Sequence, residues 1–157
     1  MARKKVFGRI PEKTQKDYER RARLEYGPQT VNDSIRRWNS YTTDQQNAIF
    51  EEGNHIYWNI TDALEAGMPP TDPEVQKHFA RWHEHLRSFY EPTFEIMRGL
   101  AEGYKTPEFR ATFERLHADL ADYLCDGITR YVDDLETAEI QRMLDADDHE
   151  ADQNKRS

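Results

Sequence analysis

Cysteine is nearly absent from this chain: one thiol, Cys125, in 157 residues excludes an intrachain disulfide framework and fits a reducing compartment. Long apolar runs are missing as well. No stretch approaches the roughly 18 residues of a membrane span, and no apolar block follows the basic N-terminus as a secretory leader requires. There is no phosphate-cradling glycine-rich loop, no nucleophile-elbow sequence and no Cys-x-x-Cys pair, so catalysis has little support. Alternating strand patterns are also lacking. What remains is a densely ionic chain, 33% charged and 36% hydrophobic, sized for one domain with tails. A cytoplasmic location is expected.

The net charge of −8 is unevenly spread. Residues 1–28 carry about +5 and the remainder about −13. An acidic body argues against non-specific nucleic-acid binding, which depends on neutralising phosphates. The basic lead, residues 1–11, reads as a solvated tail.

Periodicity is helical nearly throughout. Residues 12–26 make a charged helix with a poor apolar face of Tyr18, Ala22 and Tyr26, stopped by Gly27-Pro28. Thr30 can cap a second helix carrying Val31, Ile35 and Trp38. Thr43 with Gln46 reads as a capping box for a third, which runs to about Ala66 and ends at Gly67. Asp72 followed by Pro73 is a helix start, and Val75, Phe79, Trp82, Leu86 and Phe89 then step by four and three along one face. Thr93 can cap a short helix with Phe94, Met97, Leu100 and Ala101. Thr106-Pro107 opens another. Leu116, Leu120, Leu124, Ile128, Val132 and Leu135 line a long final helix, with a further turn or two over residues 137–144 and a disordered acidic tail from Asp145. The fold class is all-α, a bundle of about six helices.

Residues 82–104 concentrate five aromatic side chains, Met97 and two histidines around a Glu91-Pro92 break. A helix ending in Phe89-Tyr90, a turn, and a helix carrying Phe94 and Met97 form a polarizable apolar corner suited to a bulky, partly aromatic ligand. Phe79, Trp82, Leu86 and Phe89 read as core. Trp58, Tyr90, Phe94, Met97 and Tyr104 fall outside the cleanest core stripes and read as pocket, and His83, beside the corner, could donate to a ligand carbonyl.

The ordered set Tyr41-Thr42, Gly53, Pro70-x-Asp72, Val75-Gln76, His83, Phe89-Tyr90, Glu95, Gly99-Leu100, Tyr104 and Phe109, with Leu120, Leu124, Ile128 and Tyr131 downstream, resembles the TipAS antibiotic-recognition domain family over roughly residues 18–133. The resemblance implies a globin-like helical fold without haem. It also implies a cleft for thiopeptides or other large heterocycle-rich antibiotics, with N-terminal helices that order around the ligand. In many relatives this domain follows a MerR-type DNA-binding domain, and others are free-standing drug-sequestering proteins. Relatives often carry Cys two residues after the Phe-Tyr pair; Pro92 stands there, so covalent capture by that route is not expected. Met97 occupies a position commonly His in relatives, which makes the corner more apolar.

These readings divide the chain into a basic tail (1–11), a ligand-binding domain (12–136) and a short helix with acidic tail (137–157). The expected ligand-binding residues are Trp38, Tyr41, Trp58, His83, Tyr90, Phe94, Met97 and Tyr104. No cofactor, no metal and no catalysis are expected, and the ligand is a hydrophobic antibiotic-like molecule met by a stand-alone sequestering or sensor domain. With no winged-helix domain ahead of residue 12, direct nucleic-acid binding is not expected, nor is membrane binding; a partner protein or homodimer stays open. Ordering a first helix with so few apolar anchors costs about what its contacts return, so residues 12–41 are expected to be mobile until ligand closes them down, with Trp38 and Tyr41 supplying aromatic contacts. Two alternatives stand beside this reading. Glu52-x-x-His55 and Glu114-x-x-His117 follow the pattern of a di-iron carboxylate oxidoreductase, and the aromatic corner could instead dock a partner helix. His78, His83 and His85 have no two members four apart and make no zinc face.

Overall fold

Local signals set most of the helix boundaries in the computed structural model, which describes residues 3–156. Helix α1 (Glu12–Tyr26) ends at Gly27, whose φ of 89° suits glycine, and Pro28 opens α2 (Pro28–Asn39) two residues before the expected Thr30 cap. The capping box of α3 (Thr43–Glu65) uses Thr42 and Gln45, one residue earlier than the sequence pattern indicated. Gln45 N donates to Thr42 Oγ1 at 3.1 Å while Thr42 N donates to Gln45 Oε1 at 2.8 Å. Gly67, at φ 77°, follows the end of α3. Asp72 accepts from Glu74 N at 2.8 Å to start α4 (Pro73–Leu86), and Thr93 accepts from Ile96 N at 3.1 Å to start α5 (Phe94–Gly103).

Helix α6 (Pro107–Glu114) is separated from α7 (Leu120–Arg156) by a break in which Asp119 N donates to His117 Nδ1. Leu116 therefore lies in a turn and not in the last helix. Helix α7 continues unbroken to Arg156, where a separate short turn and a disordered tail were expected. It carries no buried residue past Val132, and Ile140, Met143 and Leu144 are exposed. The described residues hold seven helices and no strand, an all-α fold.

One core joins α3 to α7. Ile56, Tyr57 and Ile60 of α3 meet Val75, Phe79 and Trp82 of α4, and Met97 and Ala101 of α5 pack with Leu120, Leu124, Ile128 and Val132 of α7. Gly127 lets the Phe79 ring lie against the α7 backbone. Gln76 Nε2 donates both to Pro70 O and to Gly127 O, tying the connector, α4 and α7 together. Two tyrosine hydroxyls, of Tyr57 and Tyr104, meet at 3.1 Å inside the core. The nearby Trp82 indole N–H is buried and has no hydrogen-bond partner among the described residues.

The basic lead is not a solvated tail. Asn54, buried on α3, accepts from both Val6 N and Phe7 N at 2.8 Å and donates to Phe7 O at 3.2 Å. Phe7 packs on Tyr57 and His85, filling space left by Gly53. Arg3 pairs with Asp62 at 2.9 Å and sits over the Trp58 ring, whose N–H donates to Lys4 O. Residues 1 and 2 of the expected tail lie outside the described residues.

Candidate functional site

Helix α1 has no buried residue, and its one apolar stripe faces the rest of the protein across a gap. Tyr18, Ala22 and Tyr26 recur every four residues on α1, and Val31 and Ile35 do the same on α2. These two stripes face Ile96 and Leu100 of α5 and Tyr90 from the α4–α5 turn. Together they bound a cleft of about 280 Å³. At Tyr26, Thr30 and Ile96 it adjoins a second compartment of about 350 Å³, reached by Glu25, Thr93, Glu95 and Gly99. Bulky ligands bind in concave sites of this kind, apolar walls with a few polar groups.

Helix geometry decides which side of α5 faces the gap. Met97, Ala101 and Tyr104 step by four and three into the core, so Ile96, Gly99 and Leu100 turn outward. The Tyr26 hydroxyl passes 3.6 Å from where a Cβ on Gly99 would stand. Burial raises the pKa of Tyr18, Tyr26 and Tyr90, so all three hydroxyls stay neutral at physiological pH. The Tyr90 hydroxyl has no hydrogen-bond partner among the described residues and offers an unused donor and acceptor to the cleft.

What holds α1 over the cleft is polar. Arg21 makes a two-pronged contact with Glu108 of α6, at 2.6 and 3.0 Å, which lowers the Glu108 pKa and raises that of Arg21. Arg23 donates to Asn32 Oδ1 on α2 at 3.2 Å. Helix α2 is held differently. Trp38 stacks on Phe89 at 5.4 Å between centroids and touches Phe50 and Tyr41, and the Tyr41 hydroxyl donates to Ser88 O at 2.9 Å.

Of the eight residues expected to bind ligand, Tyr90 alone lines the cleft. Trp38, about one turn beyond Ile35 on α2, and Tyr41, just past the end of that helix, serve as its anchor on the body. Met97 and Tyr104 are core residues, 0% and 7% exposed, because the α5 face they occupy is taken by α7 and by Tyr57. Phe94, half-buried, packs against the same core. Trp58 holds the N-terminal segment by its N–H, and His83 Nδ1 lies 2.9 Å from the Tyr131 hydroxyl, bridging α4 to α7. Of the three tryptophans, Trp82 is enclosed in the core and Trp58 is on the far flank, so neither reports on this cleft. Of the other residues that line the cleft, Tyr18, Ala22, Tyr26, Val31 and Ile35 carried a signal in the sequence, apolar side chains at helical spacing on helices too polar to be core, whereas Ile96 and Leu100 lie on α5 among core residues and carried none.

The two Glu-x-x-His pairs do not converge. Glu52 is bound by Arg81 through two contacts of 2.6 and 2.9 Å, His55 is exposed beside Glu51 and Trp58, and His117 caps the turn before α7. No group of three or more His, Cys, Asp or Glu side chains among the described residues is placed to hold a metal ion. Cys125 is buried, and burial raises its thiol pKa, which suits a small apolar filler. No described helix is long and apolar enough to cross a membrane.

Residues 18–131 match the TipAS antibiotic-recognition domain. The chain is also 30% identical over 124 residues to the HTH-type transcriptional activator mta of Bacillus subtilis (strain 168), an alignment that takes in 78% of this chain and 48% of that protein. The chain thus spans about half the length of this curated relative. No solved structure matches it.

Proposed function

The chain belongs to the TipAS antibiotic-recognition domain family, and we propose that it is a non-catalytic receptor enclosing one bulky, ring-rich antibiotic-like molecule between the α1–α2 hairpin and α5. The observation that carries this reading is the cleft itself. Three tyrosine rings and the Val31, Ile35, Ile96 and Leu100 side chains line adjoining compartments of about 280 and 350 Å³, under a helix that buries nothing of its own. The space matches a drug-sized ligand or a large part of a macrocycle. The cleft walls carry no His, Cys or Lys, and no hydrogen bond joins their hydroxyls (Thr30, Ser34, Thr93) to their carboxylates (Glu19, Glu25, Glu95) among the described residues, which supports binding over chemistry.

Helix α1 acts as the lid in this reading. Its attachments are exposed ion pairs and hydrogen bonds, which exchange readily with water, whereas α2 is fixed by the Trp38–Phe89 stack and the Tyr41 hydroxyl. The mobile part is therefore narrower than residues 12–41, and closes by laying Tyr18, Ala22 and Tyr26 on the guest. Whether bound ligand is sequestered or reported to transcription depends on partners. The relative's name as a transcriptional activator supports the reporting role for proteins that carry this domain beside a DNA-binding one.

Amide exchange with and without a thiopeptide, repeated with unrelated macrocyclic drugs, tests the proposal. Protection should rise over α1 and around Ile96 and Leu100. Ile35→Asp, which puts a charge on the apolar wall, should abolish binding while the protein stays folded. Protection elsewhere, with the cleft unaffected, would overturn the reading.

A further inference from the structure

The acid–base balance around the cleft is one-sided. Glu19, Glu25 and Glu95 line its two compartments, and no lysine, arginine or histidine does. The three arginines of α1 are engaged elsewhere, Arg20 with Asp17, Arg21 with Glu108 and Arg23 with Asn32. Glu95 stands in the first turn of α5, where a carboxylate answers the positive end of the helix. Glu25 has no such account. It stands in the last turn of α1, the end at which a negative charge disfavours the helix. Its neighbours in that turn are the Tyr26 side chain, whose pKa it helps to raise, and Arg23. Beside these carboxylates lie the rings of Tyr26 and Tyr90, and aromatic rings attract cations through the ring quadrupole; the Tyr18 ring on the same wall already carries the Arg21 guanidinium, 5.2 Å from its centroid.

We propose that the cleft selects cationic aromatic ligands, seating a delocalised or alkylated positive charge between Glu25 and Glu95 and the attached rings against Tyr18, Tyr26 and Tyr90. This rests on the reading of the cleft as the ligand site and adds the ligand's charge to it. The more apolar compartment under α1 takes the rings, and the more polar one, lined by Glu25, Glu95, Thr30 and Thr93, takes the charge. A neutral ligand of the same shape gains only the apolar part. An anionic one meets three carboxylates, of which Glu25 and Glu95 are exposed and Glu19 half-buried, and the like-charge repulsion lowers its affinity, most at low salt.

Tetraphenylphosphonium and tetraphenylborate, nearly equal in size and opposite in charge, separate these cases. Calorimetric titration of the full chain should show the phosphonium binding at least about tenfold more tightly than the borate, with the gap shrinking at high salt. Glu25→Gln combined with Glu95→Gln should weaken the phosphonium about tenfold and leave circular dichroism unchanged. Glu19→Gln alone provides a second, milder variant on the same wall. Amide spectra locate the site: shifts should fall on α1, α2 and α5, and shifts confined to the acidic end of α7 overturn the proposal. Equal affinity for the two ions, or no effect of the double substitution, also overturns it, and the receptor reading survives if both still shift cleft residues. If neither ion nor a neutral thiopeptide shifts them, the receptor reading falls as well.

Discussion

Gly127 is the position where a single added carbon does most damage. A Cβ there would overlap the Phe79 ring, which is fully buried and has no free volume to retreat into. Gly127→Ala should cost about 1–3 kcal/mol, the usual penalty of overpacking, seen as a lower urea midpoint with an unchanged slope. The histidines give a second residue-scale test. Burial is the leading cause of a lowered pKa at His78, His83 and His85, and the His85 Nε2 is enclosed with no hydrogen-bond partner among the described residues. A base whose pKa is depressed in the folded protein takes up its proton first in the unfolded chain as pH falls. Its contribution to stability is full above the ordinary imidazole value of about 6.5 and is lost as pH drops below it. The carboxylates held low by arginine, such as Glu52 beside Arg81, lose theirs only below about pH 4.3. Urea midpoints should therefore fall between about pH 7 and pH 5, and His85→Leu should flatten that slope. A midpoint that stays level over this range in the parent protein would contradict the assignment.

At the scale of elements, α1 and the end of α7 are both helices without a buried face, yet for different reasons. Helix α1 is tied to α6 by Arg21 and Glu108, so Arg21→Ala should speed amide exchange in α1 while the melting temperature of the body stays within about a degree, because exposed pairs add little to global stability. The α7 extension past Glu136 touches nothing in the core, and ending the chain there should lower helical ellipticity without lowering the urea midpoint. These elements also mark where the sequence could and could not be read. Starts at Asp72-Pro73 and Thr93 were legible since a cap is decided by neighbours two or three residues apart. The α3 box slipped by one because Thr42 with Gln45 and Thr43 with Gln46 satisfy the same pattern. The α7 extension was hidden by its acidic composition, which resembles that of disordered tails. Phe94 and Met97 were assigned to the pocket, and Ile96 was passed over, since the side of α5 that faces α7 is settled by packing and not by spacing.

Seen as a whole molecule, the N-terminal segment and the cleft are parts of one arrangement. Asn54 clasps residues 6 and 7, Arg9 donates to Gln46 on α3 at 3.0 Å, and α1 begins only three residues later. None of this was visible in the sequence, because its partners lie some fifty positions away. Asn54→Ala removes three hydrogen bonds and leaves backbone groups of residues 6 and 7 unpaired, so it should destabilise the protein by about 1–3 kcal/mol. It should also weaken ligand binding, although Asn54 lies outside the cleft, and calorimetry on the variant would show both effects.

Helix α1 is thus fastened at two ends, by the Arg9–Gln46 contact before it and by the Gly27-Pro28 corner after it. When it melts it becomes a closed loop and not a dangling end. A segment pinned at both termini has fewer arrangements to forfeit when it refolds, and the saving grows as the loop shortens. If α1 is the lid proposed above, the suspension lowers the entropic toll on capturing a guest, and weak contacts from three side chains suffice to swing the span shut.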